Sequence, residues 1–378
     1  MGRAKEPIDV SKFSNWKLLD EFRRRLAAVK ARAIPDATPP DPKRLLLEED
    51  YFSLVLFGLL NPVVESMRGL CAASKISRVQ EDVCSRPVSL GSFSEAQSVF
   101  DPELLEQVFL ELSGEFTGNW GDPRLGHLAD TLKLVDGTLI PALPRMHWAL
   151  WQNDQNRAAK LHLTFKVLRQ TACDALITTA NTCERKALRQ LVKKGETLVG
   201  DRYYGLEYGF FGELRAVGVS FVIRIRNKPK MEIVEELPLT DADRAAGVTW
   251  QGKVKLGTKW RGEPIRLVRV QSADKELLIA TDLDIEAELI ALIYRYRWQV
   301  ELFFKWLKCI LGCRHLLAES PAGVAIQIYS ALIAALMLQM LTGKKPGKRQ
   351  MELIRFYLLD YVGLEELTSL LGLGKTKA

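Results

Sequence analysis

The sequence contains few of the residues from which zinc centres and disulfide frameworks are built. Its 378 residues include six cysteines and four histidines, both sets are dispersed, and no Cys-x-x-Cys motif occurs. Structural zinc sites need four such ligands at close spacing, and disulfide-rich domains belong to oxidising compartments. The sequence therefore argues against a zinc finger or an extracellular disulfide scaffold and favours a reducing compartment. Any metal ion would have to be held by carboxylates.

The features of an exported or membrane-anchored protein are also lacking. Residues 1–16 are polar and mixed in charge, without the apolar stretch of a signal peptide. Residues 322–341 carry no charged side chain and are long enough to cross a bilayer. Four polar residues interrupt this stretch: Gln327, Tyr329, Ser330 and Gln339. We therefore predict a buried core helix in preference to a membrane span, and a cytoplasmic protein with no membrane partner.

The excess of positive charge is small. The chain has 53 Lys and Arg residues against 46 Asp and Glu residues, which leaves a formal net charge of +7. Such an excess permits nucleic acid as a partner without requiring it. With 47% hydrophobic and 26% charged residues, the composition is that of a folded globular protein.

The pattern of apolar residues changes along the chain. Up to about residue 128 it is typical of helices, with a Pro/Asp-rich linker at 34–42. A helix-turn-helix over residues 62–100, with Ser92 or Ser94 opening its second helix, is one interpretation, and an ordinary helical bundle is the preferred alternative. From residue 132 short apolar runs bounded by Gly, Asn and Asp indicate a mixed α/β region, and a β-rich segment follows at 215–285. Helical patterns then return.

Two aspartates stand where short apolar runs end. The segment LVDGT places Asp136 after one run, and LVGDRYYG places Asp201 after another. Carboxylates at the ends of neighbouring strands can converge on a divalent cation, since magnesium and manganese prefer hard oxygen ligands. Because Asp and Gly are also common in plain turns, each aspartate taken alone is better interpreted as a turn residue.

A more informative segment is YRYRWQVELFFKWLK at residues 294–308. If it forms one helix, five polar groups share a narrow stripe opposite an apolar face. These are Tyr294, Arg297, Glu301, Lys305 and Lys308. The alternative is a solvated face stabilised by i,i+4 pairs such as Arg297–Glu301. That alternative does not explain the aromatic residues crowded around the stripe.

The spacing Tyr294-x2-Arg297-x3-Glu301-x6-Lys308 resembles the Y-R-E-K signature of DDE transposases from bacterial insertion sequences, in the insertion-sequence-four-like group. The order of parts is similar as well, and the resemblance extends over roughly residues 50–342. One local difference is that the family's second-aspartate motif reads Asp-x-Gly-aromatic, whereas this chain has DRYYG from Asp201.

The resemblance implies a fold and a catalytic site. It implies an α/β, RNase H-like catalytic core interrupted by a β-rich insertion, with an all-α N-terminal domain. Asp136, Asp201 and Glu301 would hold two Mg²⁺ or Mn²⁺ ions, which can activate the attacking oxygen and stabilise the leaving oxygen of a phosphodiester. Tyr294, Arg297 and Lys308 would bind the DNA backbone, and Lys305 lies on the same face.

The β-rich segment carries its own candidate DNA contacts. Six basic residues and one acidic residue occur between Lys253 and Arg269, with two tryptophans within or beside the run. Indole stacking combined with phosphate contacts is how proteins hold unpaired nucleotides, and relatives that form DNA hairpins place a flipped base on a tryptophan of the insertion. The predicted contacts are Trp250, Trp260, Lys253, Lys255, Lys259 and Arg261. The alternative is that each tryptophan packs the insertion onto the core.

The resulting prediction is a transposase that binds terminal inverted repeats, cleaves the transposon ends and joins the 3′ ends to target DNA. A homodimer in the synaptic complex and a cytoplasmic, nucleoid-associated location are implied. The alternatives are an RNase H-fold nuclease without strand transfer and an inactive DNA-binding regulator. The predicted domains are a DNA-binding domain (1–128), the first part of the core (129–214), the insertion (215–280), the second part of the core (281–343) and a helical tail (344–378).

Overall fold

A computed structural model describes residues 16, 18–33, 46–116, 121–151, 156–258, 260, 262–272, 275–313 and 315–372. The chain divides into two compact units. The first comprises residues 1–116, 140–159 and 305–378, and the second comprises residues 117–139 and 160–304.

The helices of the described residues are α1 (Leu18–Ala33), α2 (Glu48–Leu60), α3 (Met67–Ala73), α4 (Ser77–Asp82), α5 (Leu90–Val99), α6 (Glu103–Glu115), α7 (Glu184–Leu191), α8 (Gly209–Ala216), α9 (Asp241–Ala245), α10 (Ala287–Tyr296), α11 (Trp298–Cys309), α12 (Pro321–Thr342), α13 (Lys348–Leu358) and α14 (Leu364–Leu371). The strands are β1 (Leu132–Ala142), β2 (Arg157–Lys166), β3 (Thr171–Thr179), β4 (Thr197–Gly200), β5 (Ser220–Ile225), β6 (Met231–Glu236), β7 (Val248–Leu256), β8 (Ile265–Ser272) and β9 (Lys275–Thr281).

Helix α12 forms the core of the first unit. It packs against α2, α5 and α6, and the ring of its Tyr329 lies 6.2 Å from that of Phe109. The helix is long and apolar enough to cross a membrane, but 89% of its most apolar stretch is buried inside the protein. The polar side chains within it are buried too, among them Gln327, Ser330 and Gln339. The prediction of a core helix in this segment is thereby confirmed.

The region considered for a helix-turn-helix contains three short helices, α3, α4 and α5. The last of these begins at Leu90, slightly earlier than predicted, because the Ser89 side chain accepts a hydrogen bond from the backbone N–H of Ser92 and caps the helix. Helix α3 packs against α5 and both contact α2.

The second unit is built on a sheet with the strand order β3-β2-β1-β4-β5-β9-β8-β7-β6. Strand β1 pairs in parallel with β4, and β4 pairs in parallel with β5. The protein is therefore a mixed α/β structure with a large sheet, as the short apolar runs from residue 132 onwards predicted. Parallel neighbours place their carboxyl ends at the same edge of the sheet, and this arrangement positions the candidate site.

The predicted β-rich insertion continues this sheet. Strand β5 pairs antiparallel with β9, and β8, β7 and β6 follow as successive antiparallel neighbours. One hydrophobic cluster joins the two parts, with Phe221 and Ile223 of β5 in the same cluster as Leu267 of β8. The segment therefore shares its core with the strands that precede it, since its apolar residues face the same buried layer.

Candidate functional site

The two aspartates lie on neighbouring strands, Asp136 within β1 and Asp201 directly after β4. The prediction that Asp136 ends a strand before a turn was wrong, because β1 continues to Ala142. In the β1–β4 pair Leu132 is opposite Thr197 and Leu134 is opposite Val199. Continuing this register brings Asp136 level with Asp201, just beyond Gly200 where β4 ends. The spacing that looked like two separate turns in the sequence is thus the spacing of one parallel pair.

Asp136 is largely buried and its charge is poorly compensated. Its Oδ1 accepts a hydrogen bond of 2.8 Å from the backbone N–H of Gly137. Burial, together with the carboxylates of Asp201 and Glu184, nevertheless raises the pKa of Asp136 to about 7, and the positive charge of Arg297 only partly opposes this. In the described part of the chain, neither Asp136 nor Asp201 forms an ion pair.

The loop after Asp201 is fixed by close packing. Asp201 Oδ1 accepts a 2.8 Å hydrogen bond from the backbone N–H of Tyr203. The next residue, Tyr204, is fully buried, and burial followed by the charges of Glu184, Asp136 and Asp201 raises the pKa of its hydroxyl. A Cβ at Gly205 would lie 2.2 Å from the backbone oxygen of Arg224, so this position needs glycine. The loop that departs from the family motif is therefore well packed, with its second tyrosine in the core.

Glu301 lies in the first turn of α11 and is bound by Arg297. Arg297 Nη1 lies 2.6 Å from Glu301 Oε1, which confirms the i,i+4 pair expected from the sequence. Arg297 also interacts electrostatically with Asp136. The positive charge of Arg297 therefore acts on both Glu301 and Asp136.

Residues 294–308 differ from the predicted single helix. Helix α10 ends at Tyr296 and α11 starts at Trp298, because Arg297 N bonds back to Tyr294 O in a tighter i→i−3 turn. Tyr294 is not on an exposed face: its side chain is buried, and burial raises its pKa. Its ring lies 5.9 Å from the Arg297 guanidinium carbon, so it packs against the arginine that binds Glu301.

The donor chemistry of this site fits a divalent cation. Asp136 and Asp201 offer hard anionic oxygens, and the raised pKa of Asp136 shows that nearby positive charge does not neutralise the pair. Among the described residues, no three His, Cys, Asp or Glu side chains are grouped closely enough to hold a metal ion. The third predicted carboxylate, Glu301, is paired with Arg297 in this arrangement.

Two residues that the sequence analysis did not predict lie beside Asp136. Lys160 Nζ is 2.6 Å from Glu184 Oε1, and both side chains are largely buried. A Cβ at Gly137 would lie 3.0 Å from Lys160 Cε and 3.2 Å from Glu184 Oε1. A lysine inside the apolar strand β2 was the available signal, because a charged residue there must find a partner.

The two lysines of α11 belong to the first unit. Lys305 is exposed, and Lys308 is half-buried at the edge of a cavity of about 610 Å³. The other lining residues of this cavity include Cys309, His315 and Arg355.

Both candidate tryptophans pack on the core of the second unit. Trp250 and Trp260 lie against its hydrophobic cluster and are partly buried. Trp250 Nε1 donates to Glu236 Oε1 at 3.3 Å, and Trp260 Nε1 donates to the backbone oxygen of Gly262 at 2.8 Å. In the free protein these contacts favour the alternative in which each tryptophan packs the insertion onto the core.

Acidic residues of β6 form ion pairs with two lysines of the basic run in the same region. Lys253 Nζ lies 2.8 Å from Glu235 Oε2, and Lys255 Nζ lies 3.3 Å from Glu232 Oε1. The β6–β7 register places each of these pairs directly opposite. Lys259 and Arg261 lie outside the described residues. The acidic sequence MEIVEE of β6 could have predicted these ion pairs, but it lies outside residues 253–269, over which the charges were compared.

Comparisons with known proteins bear on this site. The family described as "Transposase DDE domain" matches residues 128–337. A protein of Sinorhizobium fredii named as transposase y4zB is 27% identical over 258 residues, which is 66% of this chain and 71% of that protein. A protein of Geobacillus stearothermophilus named as a transposase for insertion sequence element IS5377 is 28% identical over 217 residues, or 56% of each chain.

Among solved structures, a piggyBac transposase synaptic complex with hairpin DNA aligns with a TM-score of 0.45 at 11% identity, covering 100% of this chain and 83% of that chain. That likeness is too loose to support an argument. The family match covers more than half of the chain and contains Asp136, Asp201 and Glu301. The chain therefore belongs to the transposase DDE domain family and is a DDE transposase of an insertion-sequence element, an enzyme of DNA cleavage and strand transfer.

Proposed function

We propose that the protein cleaves DNA at the terminal inverted repeats of its element and joins the 3′ ends to target DNA, with Asp136, Asp201 and Glu301 holding two Mg²⁺ or Mn²⁺ ions. The observation that carries this proposal is that Asp136 of β1 lies level with Asp201, which directly follows β4, and that the pKa of Asp136 is raised to about 7. Uncompensated buried carboxylates are costly unless a cation joins them.

Each side chain has a distinct part in the proposal. Asp136, Asp201 and Glu301 would hold the ions, with Asp136 serving both, Asp201 one and Glu301 the other. Bound ions would supply activation of a water or 3′-hydroxyl and stabilisation of the leaving oxygen. Arg297 orients Glu301 through their 2.6 Å contact, and the buried Tyr294 packs against Arg297 to limit its rotamers. Arg297 would also be available to DNA phosphates once the substrate displaces the ion pair, whereas the DNA contact predicted for Tyr294 would require its buried side chain to become exposed.

The fold supports the same proposal. The order β3-β2-β1-β4-β5 with a parallel β1–β4–β5 core is the order expected of an RNase H-like core, and β6 to β8 are proposed to form the insertion. The N-terminal helices α1 to α6 are proposed to bind the inverted repeats. A homodimer would align two ends in the synaptic complex, in the cytoplasm near the nucleoid.

DNA contacts are proposed for the exposed Lys305, for Lys308 and for the insertion. Within the insertion, base binding by Trp250 or Trp260 is proposed for the DNA-bound protein, because both indoles pack against the core cluster in the free protein. Replacing each by alanine should impair hairpin formation more than first-strand nicking if the indole binds a base. Equal loss in both steps on labelled transposon ends would assign the residue to packing.

The central test uses Glu301→Gln, which preserves volume and removes the charge. We expect cleavage of labelled transposon ends to fall by about 10³-fold, since metal-ion catalysis provides several kcal/mol of transition-state stabilisation. Glu213→Gln is the matched control, because Glu213 forms an exposed ion pair with Arg189 elsewhere in the same unit. Wild-type cleavage by Glu301→Gln would refute the assignment, and cleavage without strand transfer by the wild type would favour a nuclease.

A further inference from the structure

An ion pair beside Asp136 lies outside the Y-R-E-K signature and the three carboxylates. Lys160 of β2 and Glu184, the first residue of α7, are joined at 2.6 Å, with side-chain exposures of 13% and 16%. Both lie next to Gly137, where an added Cβ would be 3.0 Å from Lys160 Cε and 3.2 Å from Glu184 Oε1, closer than ordinary van der Waals contact. The pair therefore packs directly against the residue that follows Asp136.

Each member of the pair is held in place by its element. Lys160 is on a strand next to β1 in the sheet, and Glu184 is in the first turn of α7, where the helix dipole favours a carboxylate. The neighbouring Arg185 cannot replace Lys160 as the partner of Glu184, because it binds Glu207 and donates to the backbone oxygen of Tyr203 at 2.9 Å. The Lys160–Glu184 geometry is thus well defined.

Two cations near the aspartate pair, Arg297 and Lys160, are each engaged in an ion pair within the described part of the chain. Arg297 is bound to Glu301 and Lys160 is bound to Glu184. Glu184 is close enough to act electrostatically on both Asp136 and Tyr204. A cation arriving at Asp136 would therefore feel the attraction of Glu184 and the repulsion of Lys160 at the same time.

We propose that Glu184 and Lys160 are positioning residues that set the divalent-cation affinity of the Asp136–Asp201 site in opposite directions. Glu184 strengthens cation binding through its negative charge. Lys160 weakens cation binding and fixes the Glu184 carboxylate against Gly137. This inference rests on the proposed function, because it requires Asp136 and Asp201 to bind the ions.

The test is Mn²⁺ binding to the full chain, measured by electron paramagnetic resonance of the free ion, which needs no catalysis. Residues just outside a metal's ligands commonly change its affinity by about 10- to 100-fold. Glu184→Gln should raise the Mn²⁺ Kd by about tenfold, Lys160→Met should lower it by about threefold or more, and Lys160→Arg should leave it near the wild-type value. Changes of opposite sign are the prediction, since a merely structural pair would lose affinity in both variants.

The matched controls are Arg189→Met and Glu213→Gln, which alter an ion pair of the same type on α7 and α8. Both should leave the Kd unchanged, and thermal unfolding should show that all variants are folded. If Lys160→Met fails to fold, the Mn²⁺ Kd values of Glu184→Gln and Lys160→Arg still test the inference. Unchanged Kd in Glu184→Gln, or weakening in both Glu184→Gln and Lys160→Met, would overturn the inference. If Asp136→Asn also leaves Mn²⁺ binding unchanged, the proposed function itself fails; if Asp136→Asn abolishes binding, only this inference does.

Discussion

Strand β1 carries two charged groups whose surroundings differ. Lys133 lies between two carboxylates, 2.7 Å from Asp174 Oδ2 and 2.5 Å from Glu196 Oε1, and all three side chains are buried. Asp136, further along the same strand, faces carboxylates and has no ion pair within the described residues. The first arrangement satisfies its charges internally, and the second leaves negative charge for a ligand to neutralise. The difference separates a group that supports the fold from a group poised to bind a cation.

The largest effect of a substitution on stability is expected in the ion-paired cluster of Lys133, Asp174 and Glu196. Lys133→Met removes the buried cation and leaves Asp174 and Glu196 without it, so the free energy of unfolding should fall by about 3–5 kcal/mol. Lys193→Met is the matched control. Lys193 also contacts Asp174, at 3.1 Å, but its side chain is 69% exposed, and the cost should stay below about 1 kcal/mol. Denaturant unfolding measures both values, and equal losses would break the contrast.

Asp136 and Asp174, the carboxylate bound by Lys133, should contribute to stability in opposite pH ranges. Burial and neighbouring carboxylates raise the pKa of Asp136 to about 7, so its contribution to stability is present below about pH 4 and is lost as pH rises through about 7. Burial alone would raise the pKa of Asp174, but the charge and hydrogen bond of Lys133 outweigh it and lower that pKa. The contribution of Asp174 is therefore present above about pH 4 and is lost as pH falls below its folded pKa.

Metal-free unfolding curves of the wild type, Asp136→Asn and Asp174→Asn check this expectation. The stability of the wild type relative to Asp136→Asn should fall by up to about 4 kcal/mol between pH 4 and 7, since a pKa change of one corresponds to about 1.4 kcal/mol. Relative to Asp174→Asn, it should hold steady in that range and decline only at lower pH. Both differences changing in the same window would contradict the assignment of the two environments.

A smaller effect extends the contrast to DNA binding. Lys253 is paired with Glu235, whereas Lys305 is exposed and forms no ion pair in the described part of the chain. Lys305→Gln should therefore reduce the slope of log affinity against log salt by about 1, whereas Lys253→Gln should change it by much less. Fluorescence anisotropy with labelled transposon-end DNA measures both slopes. Equal changes would show that the Lys253–Glu235 pair opens on DNA.

The sequence predicted that Asp201 follows a strand and that Arg297 pairs with Glu301, because each depends on local spacing. It wrongly placed Asp136 at a strand end, whereas β1 continues to Ala142. It missed the ion pair of Lys160 and Glu184 because β2 and α7 are separate elements that bring the two side chains together only in the folded protein. The break between α10 and α11 at Arg297 was not predicted, because the spacing of apolar residues does not show where an i→i−3 backbone hydrogen bond replaces an i→i−4 bond. The acidic strand β6 was visible in the sequence, but only the β6–β7 register shows that it neutralises Lys253 and Lys255.

The central claim is that Asp136, Asp201 and Glu301 bind the catalytic ions. Fe²⁺ can replace Mg²⁺ in the DNA-bound protein. Added hydrogen peroxide is then cleaved at the Fe²⁺ to hydroxide and a hydroxyl radical, ascorbate reduces the resulting Fe³⁺, and the radicals cut the polypeptide backbone nearby. We expect cuts next to residues 136, 201 and 301 that disappear in Asp136→Asn. Cuts confined to other segments, or cuts that persist unchanged in Asp136→Asn, would contradict it.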